Sequence, residues 1–136
     1  MCQIIEITLF FGLKIFQTMK TILVAEDNDS NYILMTYILK RHYQFLRAKN
    51  GQEAVDMVEK GGIDLVLMDI KMPVMDGLEA TGKIKAAHSD LPVVALTANA
   101  FESDRQQAIE AGCDNFLTKP ISSEKCLTTI ASLIGE

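Results

Sequence analysis

The chain has 136 residues, 49% of them hydrophobic and 23% charged, with a formal net charge of −5. That size fits one domain with a real core, and the hydrophobic share excludes a disordered segment. The negative charge argues against capture of nucleic acid or of an anionic membrane, which need a basic face, and points to protein partners.

The first eighteen residues stand apart. They are apolar but interrupted by Glu6 and Lys14, and so fall short of the roughly 20 apolar residues that span a bilayer. The basic n-region and small-residue cleavage site of a secretory signal are missing. Residues 1–19 are therefore expected to be an appendage, with Met19 as natural initiator, and residues 20–136 the domain. The competing reading is a helix or strand used for docking or dimerisation. The cysteines (Cys2, Cys113, Cys126) form no C-x-x-C pair, as expected in a reducing cytosol. Cys113 and Cys126 read as small buried hydrophobes.

From Thr21 short apolar runs alternate with amphipathic stretches, the pattern of repeated βα units. Thr21–Ala25 is continuously apolar, as in a strand buried on both faces. Residues 30–41 predict a helix with Ile33, Leu34, Tyr37 and Ile38 at helical spacing and Asp29 or Ser30 as cap. Gln44–Ala48 is more polar, hence an edge strand. Gly51–Lys60 sets Ala54, Val55 and Val58 on one helix face and ends at Gly61-Gly62. Residues 64–68 form the second strong strand. Asp76-Gly77 opens a helix to about Ala87 that buries Leu78, Thr81 and Ile84. Pro92 starts a strand over 93–96, where a missing N–H is tolerated. A more polar helix over 101–111 closes at Gly112, Asn115–Thr118 is the last strand, and Ser122 caps a final helix to about Ile134. Ile121 and Cys126 are placed as a hydrophobic staple for that helix.

The fold expected is α/β: a doubly wound, five-stranded parallel sheet of flavodoxin-like order 2-1-3-4-5, flanked by five helices. Function in such sheets sits outside the carboxyl ends of the strands, at the switch between the first and third. Glu26, Asp27 and Asp69 occupy those two ends, with Thr97 and Lys119 closing the fourth and fifth strands. Carboxylates that close raise one another's pKa and cost folding energy unless something cationic offsets them. The loop after Ala25 has three acids and no glycine, so it disfavours a phosphate cradle of the Rossmann or P-loop kind. Oxygen ligands at this place suggest Mg²⁺, with one oxygen each from Asp27 and Asp69 and a third from a backbone carbonyl just past Asp69. An ammonium and a hydroxyl beside such a pair suit a phosphoryl group passing through, with Asp69 as nucleophile. Taken singly, an Asp after a strand is usually a cap or turn residue, Lys119 a solvated lysine and Thr97 a strand end. Their joint placement favours the site. His42 and His88 read as surface residues and Asp76 as a helix cap.

Glu26-Asp27, Asp69-Ile70-Lys71-Met72-Pro73-Val74-Met75-Asp76-Gly77, Leu96-Thr97-Ala98 and the run from Gly112 through Lys119-Pro120 resemble the receiver (response-regulator) domain of two-component signalling. The resemblance covers Lys20 to about Ile134 and is closest to receivers of hybrid kinases and phosphorelays. It implies a cytoplasmic phosphoacceptor domain, not an enzyme beyond its own phosphorylation and dephosphorylation. Asp69 would accept phosphate from a phosphohistidine on a sensor kinase or histidine phosphotransfer protein. Mg²⁺ would be held by Asp27, Asp69 and the backbone oxygen of Lys71, with Glu26 acting through a metal water. Thr97 would swing to the phosphoryl oxygen and Lys119, aimed by a cis Lys119-Pro120 bond, would pair with it. The surface built from 101–111, Asn115–Thr118 and 123–134 would change and present itself to a downstream protein. Phe116 stands where many relatives have Tyr, and Lys71 and Asn99 flank the path of attacking water. The rival readings are a phosphatase of the Asp-x-Asp type, disfavoured by Lys71 at the second acid's place, and a flavodoxin-like carrier. A pseudo-receiver is excluded because no member of the acceptor set is missing. No DNA-binding or enzymatic output domain is expected on the polypeptide as given.

Overall fold

The computed structural model describes residues 4–8, 14–98 and 102–135; Asn99 and Phe101 lie outside them. Among the described residues there are seven strands and five helices: β1 (Ile4–Thr8), β2 (Lys14–Thr18), β3 (Thr21–Ala25), α1 (Asp29–Leu39), β4 (Gln44–Ala48), α2 (Gly51–Lys60), β5 (Leu65–Asp69), α3 (Gly77–Ala87), β6 (Val93–Thr97), α4 (Glu102–Ala111), β7 (Asn115–Thr118) and α5 (Ser123–Ile134). Strands β3 to β7 make one parallel sheet in the order β4-β3-β5-β6-β7, which is the expected 2-1-3-4-5. The first two strands pair antiparallel with each other in a separate two-stranded sheet, Ile4 opposite Thr18 and Thr8 opposite Lys14.

The central strands β3, β5 and β6 are buried along their whole length, so alternation sorts their side chains between two cores. Ile22, Val24, Leu65, Leu67, Val94 and Leu96 face Met35, Ile38 and Leu39 of α1 and Cys126 and Ile130 of α5. Leu23, Ala25, Val66, Met68 and Val93 face Ala54 and Val58 of α2 and Ala80 and Ile84 of α3.

Helix α1 departs from its expected face. It buries Met35, Ile38 and Leu39, while Ile33, Leu34 and Tyr37 are 52%, 44% and 65% exposed. The helix is apolar nearly all round, so spacing alone does not choose which stripe meets the sheet. Its cap is Asn28, whose side chain accepts from the Asn31 N–H at 2.9 Å, one residue earlier than expected. In α3 the buried positions are Gly77, Ala80, Thr81 and Ile84, with Leu78 at the rim. Asp76 caps that helix, accepting from Glu79 N–H at 2.8 Å, and Ser122 caps α5.

Candidate functional site

Each acidic or polar side chain of the expected set is delivered by the carboxyl end of a parallel strand. Glu26 follows the last residue of β3, whose partners are Ala48 on one side and Met68 on the other. Asp69 ends β5 opposite Leu96, so Thr97 lies one residue further along the neighbouring strand. Lys119 follows β7, and its peptide N–H donates to the Thr97 carbonyl at 2.7 Å. The Lys119-Pro120 bond is cis.

The groups converge. One oxygen from each of Glu26, Asp27 and Asp69 lies within 4.8 Å of the others. Glu26 and Asp69 are buried, at 1% and 6% exposure, whereas Asp27 faces solvent. Between the two buried acids stands Lys119, its Nζ donating to Glu26 Oε1 at 2.9 Å and to Asp69 Oδ2 at 3.1 Å. The second Asp69 oxygen accepts from the Lys71 N–H at 3.3 Å. Thr97 is buried at 6% exposure at the same sheet edge.

Burial pushes the Glu26 carboxyl above its ordinary value, and its closeness to Asp69 adds to that; the Lys119 ammonium opposes both. Burial by itself would lower the Lys119 pKa, but the Glu26 and Asp69 carboxylates outweigh it and the ammonium is held above its ordinary value. Three acids against one ammonium leave surplus negative charge on a set of oxygen donors, which fits a hard divalent cation. The set is of the type that Mg²⁺ takes: few carboxylates, with an open, solvated side at Asp27.

Two glycines press the surrounding loops onto this edge. A Cβ on Gly77 would run into the carbonyl oxygen of Asp69, and one on Gly51 into that of Met75. Gly77 N–H donates to Ile70 O and Gly51 N–H to Met75 O, so both helix starts lie against the loop that follows Asp69. Within that loop Val74 has φ +69° and is 83% exposed, spanned by a Met75 N–H to Pro73 O bond.

The remaining expectations fall as follows. His42 is exposed, and His88 is half-buried with Nε2 3.0 Å from Glu59 Oε1. Cys126 is fully buried and Cys113 partly so. Phe116 is half-buried, with the Arg105 guanidinium 5.3 Å from its ring centre. Sequence reasoning missed Arg47, whose guanidinium touches the backbone of both Glu26 and Asp27. Its one signal was a lone cation within an edge strand, next to an acidic loop.

Among the described residues no helix is long and apolar enough to cross a membrane. The profile of the family described as response regulator receiver domain matches residues 22–131. The polar-differentiation response regulator DivK of Brucella anthropi is 35% identical over 120 residues, covering 86% of this chain and 98% of that protein. The receiver domain of a sensor histidine kinase from Pseudomonas aeruginosa PAO1, solved with a magnesium ion coordinated in its active site cleft, superposes with a TM-score of 0.80 at 33% identity, covering 86% and 98%. The receiver domain of the Saccharomyces cerevisiae response regulator Ssk1, crystallised with the histidine phosphotransfer protein Ypd1, gives 0.81 at 31% identity, covering 86% and 90%. With its acids, lysine and threonine gathered at one sheet edge, the chain belongs to the receiver-domain family of two-component signalling.

Proposed function

We propose that Asp69 is the phosphoacceptor, taking a phosphoryl group from a phosphohistidine on a sensor kinase or histidine phosphotransfer protein. The observation that carries this is the Lys119 bridge, 2.9 Å to Glu26 and 3.1 Å to Asp69, beside an acid cluster within 4.8 Å. One Asp69 oxygen attacks phosphorus, forming an O–P bond, while the electron pair of the broken P–N bond stays on the departing imidazole. A divalent cation in the cluster, Mg²⁺ in this reading, supplies positive charge against the phosphoryl oxygens. Asp27 and Asp69 would hold it, with the Lys71 carbonyl, and Glu26 would act through a bound water. Lys119 is already paired with the nucleophile and keeps its contact with the new oxygens; Thr97 donates its hydroxyl to another.

The bound phosphoryl adds charge that Thr97 and Lys119 move to neutralise, and the face of α4, β7 and α5 changes for a downstream protein. The domain acts by contact, and its only chemistry is on its own phosphoryl group. Residues 20–136 carry this activity; the β1-β2 hairpin lies outside it, consistent with its strands pairing with each other alone among the described residues. A phosphotransfer partner is supported by the exposed Ile33, Leu34 and Tyr37 of α1, the helix that starts at the acidic loop. The negative charge of the chain makes a nucleic acid or a membrane surface a poor partner, and a cytoplasmic setting suits the free thiols.

The test is incubation with acetyl phosphate and MgCl₂ followed by intact mass. One added phosphoryl group is expected, and none when EDTA replaces MgCl₂ from the start or in Asp69→Asn. Phosphorylation that persists in Asp69→Asn contradicts the assignment.

A further inference from the structure

We infer that Arg47 is a positioning residue that fixes the acidic loop for cation binding, an inference resting on the reading of Glu26, Asp27 and Asp69 as the cation site. Arg47 stands on edge strand β4 opposite Val24. Its side chain folds across the end of β3 and is only 17% exposed. Nε donates to the Glu26 carbonyl at 3.1 Å and Nη2 to the Asp27 carbonyl at 3.3 Å. The same Nη2 lies 2.8 Å from Asp29 Oδ1, and Cζ sits 4.5 Å from the centre of the Tyr32 ring. Tyr32 in turn meets Phe45 of β4 edge-on at 6.4 Å.

One planar fork thus holds two consecutive peptide carbonyls, those of the two acids. Glu26 is gripped from the same strand on its other backbone group, since its N–H donates to Ala48 O at 3.0 Å. Rotation of the peptide between Glu26 and Asp27 is what would carry the exposed Asp27 carboxylate away from Asp69, and this double grip opposes it. Lysine would supply the charge but no rigid fork and no stacking plane. The Asp29 pair and the Tyr32 stack keep the guanidinium in place. They also offset its field, so a cation close by suffers little repulsion.

The geometry makes a prediction opposite in sign to simple electrostatics. Deleting a positive charge beside a cation site should tighten cation binding by Coulomb's law; deleting a positioning clamp should weaken it. The experiment is MgCl₂ titration of the full chain, followed by calorimetry and amide resonances, for wild type, Arg47→Met and Arg47→Lys. Metal-free urea unfolding is measured alongside. Binding weaker by roughly tenfold is expected for Arg47→Met, as for groups that orient metal ligands from behind, with Arg47→Lys restoring only a minor part. Unchanged or tighter Mg²⁺ binding by the folded variants overturns the inference, even if their urea midpoints fall, because that is a structural role alone. Should Arg47→Met fail to fold, Arg47→Lys, which keeps the charge and the aliphatic stem, decides by the same criterion. A wild-type chain that does not bind Mg²⁺ removes the underlying reading itself, a result distinguishable from failure of the Arg47 variants.

Discussion

Replacing Lys119 with methionine tests how the acid cluster is tolerated in the metal-free fold. Lys119 is the cation between two buried acids, at 2.9 and 3.1 Å, with its own side chain 22% exposed. Removing one partner of a buried charge pair costs about 3–5 kcal/mol. Partial exposure of the lysine lowers that, as does the option for Glu26, whose pKa is already raised by burial, to take up a proton, so about 2–3 kcal/mol is expected at pH 8. For a domain of this size that is a fall in Tm of roughly 10 °C. The pH dependence has a definite sign. Glu26 is raised in the folded state, so its contribution is complete below 4.5 and is lost as pH climbs through the raised folded value. Lys119 lowers the Glu26 pKa, so removing it moves that value further up and makes the variant's deficit larger at pH 8 than at pH 5. Urea unfolding in EDTA at both pH values is the assay. A deficit under about 0.5 kcal/mol, or one equal at the two pH values, refutes the view that Lys119 compensates a strained carboxylate pair.

Gly77→Ala places a methyl against the Asp69 carbonyl and should destabilise by about 1–3 kcal/mol or more, read from urea midpoints, with slower phosphorylation because the nucleophile's own peptide shifts. Cys126 is fully buried, and burial lifts its thiol from 9.0 to about 11; peptide-resolved alkylation at pH 8 should find it reacting far more slowly than Cys113. Its stabilising contribution is complete below pH 9 and lost as pH rises through about 11, so Cys126→Val should flatten that part of the alkaline stability curve. Leu34→Asp with Tyr37→Asp on the exposed face of α1 should slow transfer from a phosphorylated histidine phosphotransfer protein by roughly tenfold or more, as loss of interface anchors does. Acetyl phosphate, which needs no docking face, should react with that variant as with the wild type.

The sheet and the ends of its strands were legible because strands buried on both faces read as unbroken apolar runs. An acid that closes such a run has one place to go, whereas Lys119 closes the half-exposed edge strand β7 and was legible only from its order in the chain. Asp69 and Lys119 lie 50 positions apart in sequence, yet the parallel topology brings Nζ and Oδ2 to 3.1 Å. Helix α1 was legible as an element and not as a face, because Ile33, Leu34 and Tyr37 are as apolar as the Met35, Ile38 and Leu39 it buries. Only the sheet selects the stripe. Arg47 was hidden for a related reason: its partners are peptide carbonyls, which every sequence contains, so nothing in the residue pattern distinguishes a clamp from a solvated arginine. Residues 1–18 were read as an appendage, with a helix or strand used for docking or dimerisation as the alternative; 4–8 and 14–18 pair as antiparallel strands, in a register that composition did not reveal.

The most direct measurement is chemical trapping of the phosphorylated chain. Borohydride reduces an aspartyl phosphate to homoserine, and peptide sequencing by mass then locates it. Homoserine at position 69, and at no other acid of the cluster, is the predicted result. Homoserine at position 27, the one-carbon-longer alcohol (5-hydroxynorvaline) that a reduced glutamyl phosphate would leave at position 26, or a phosphate that resists reduction and sits on a hydroxyl, contradicts the account.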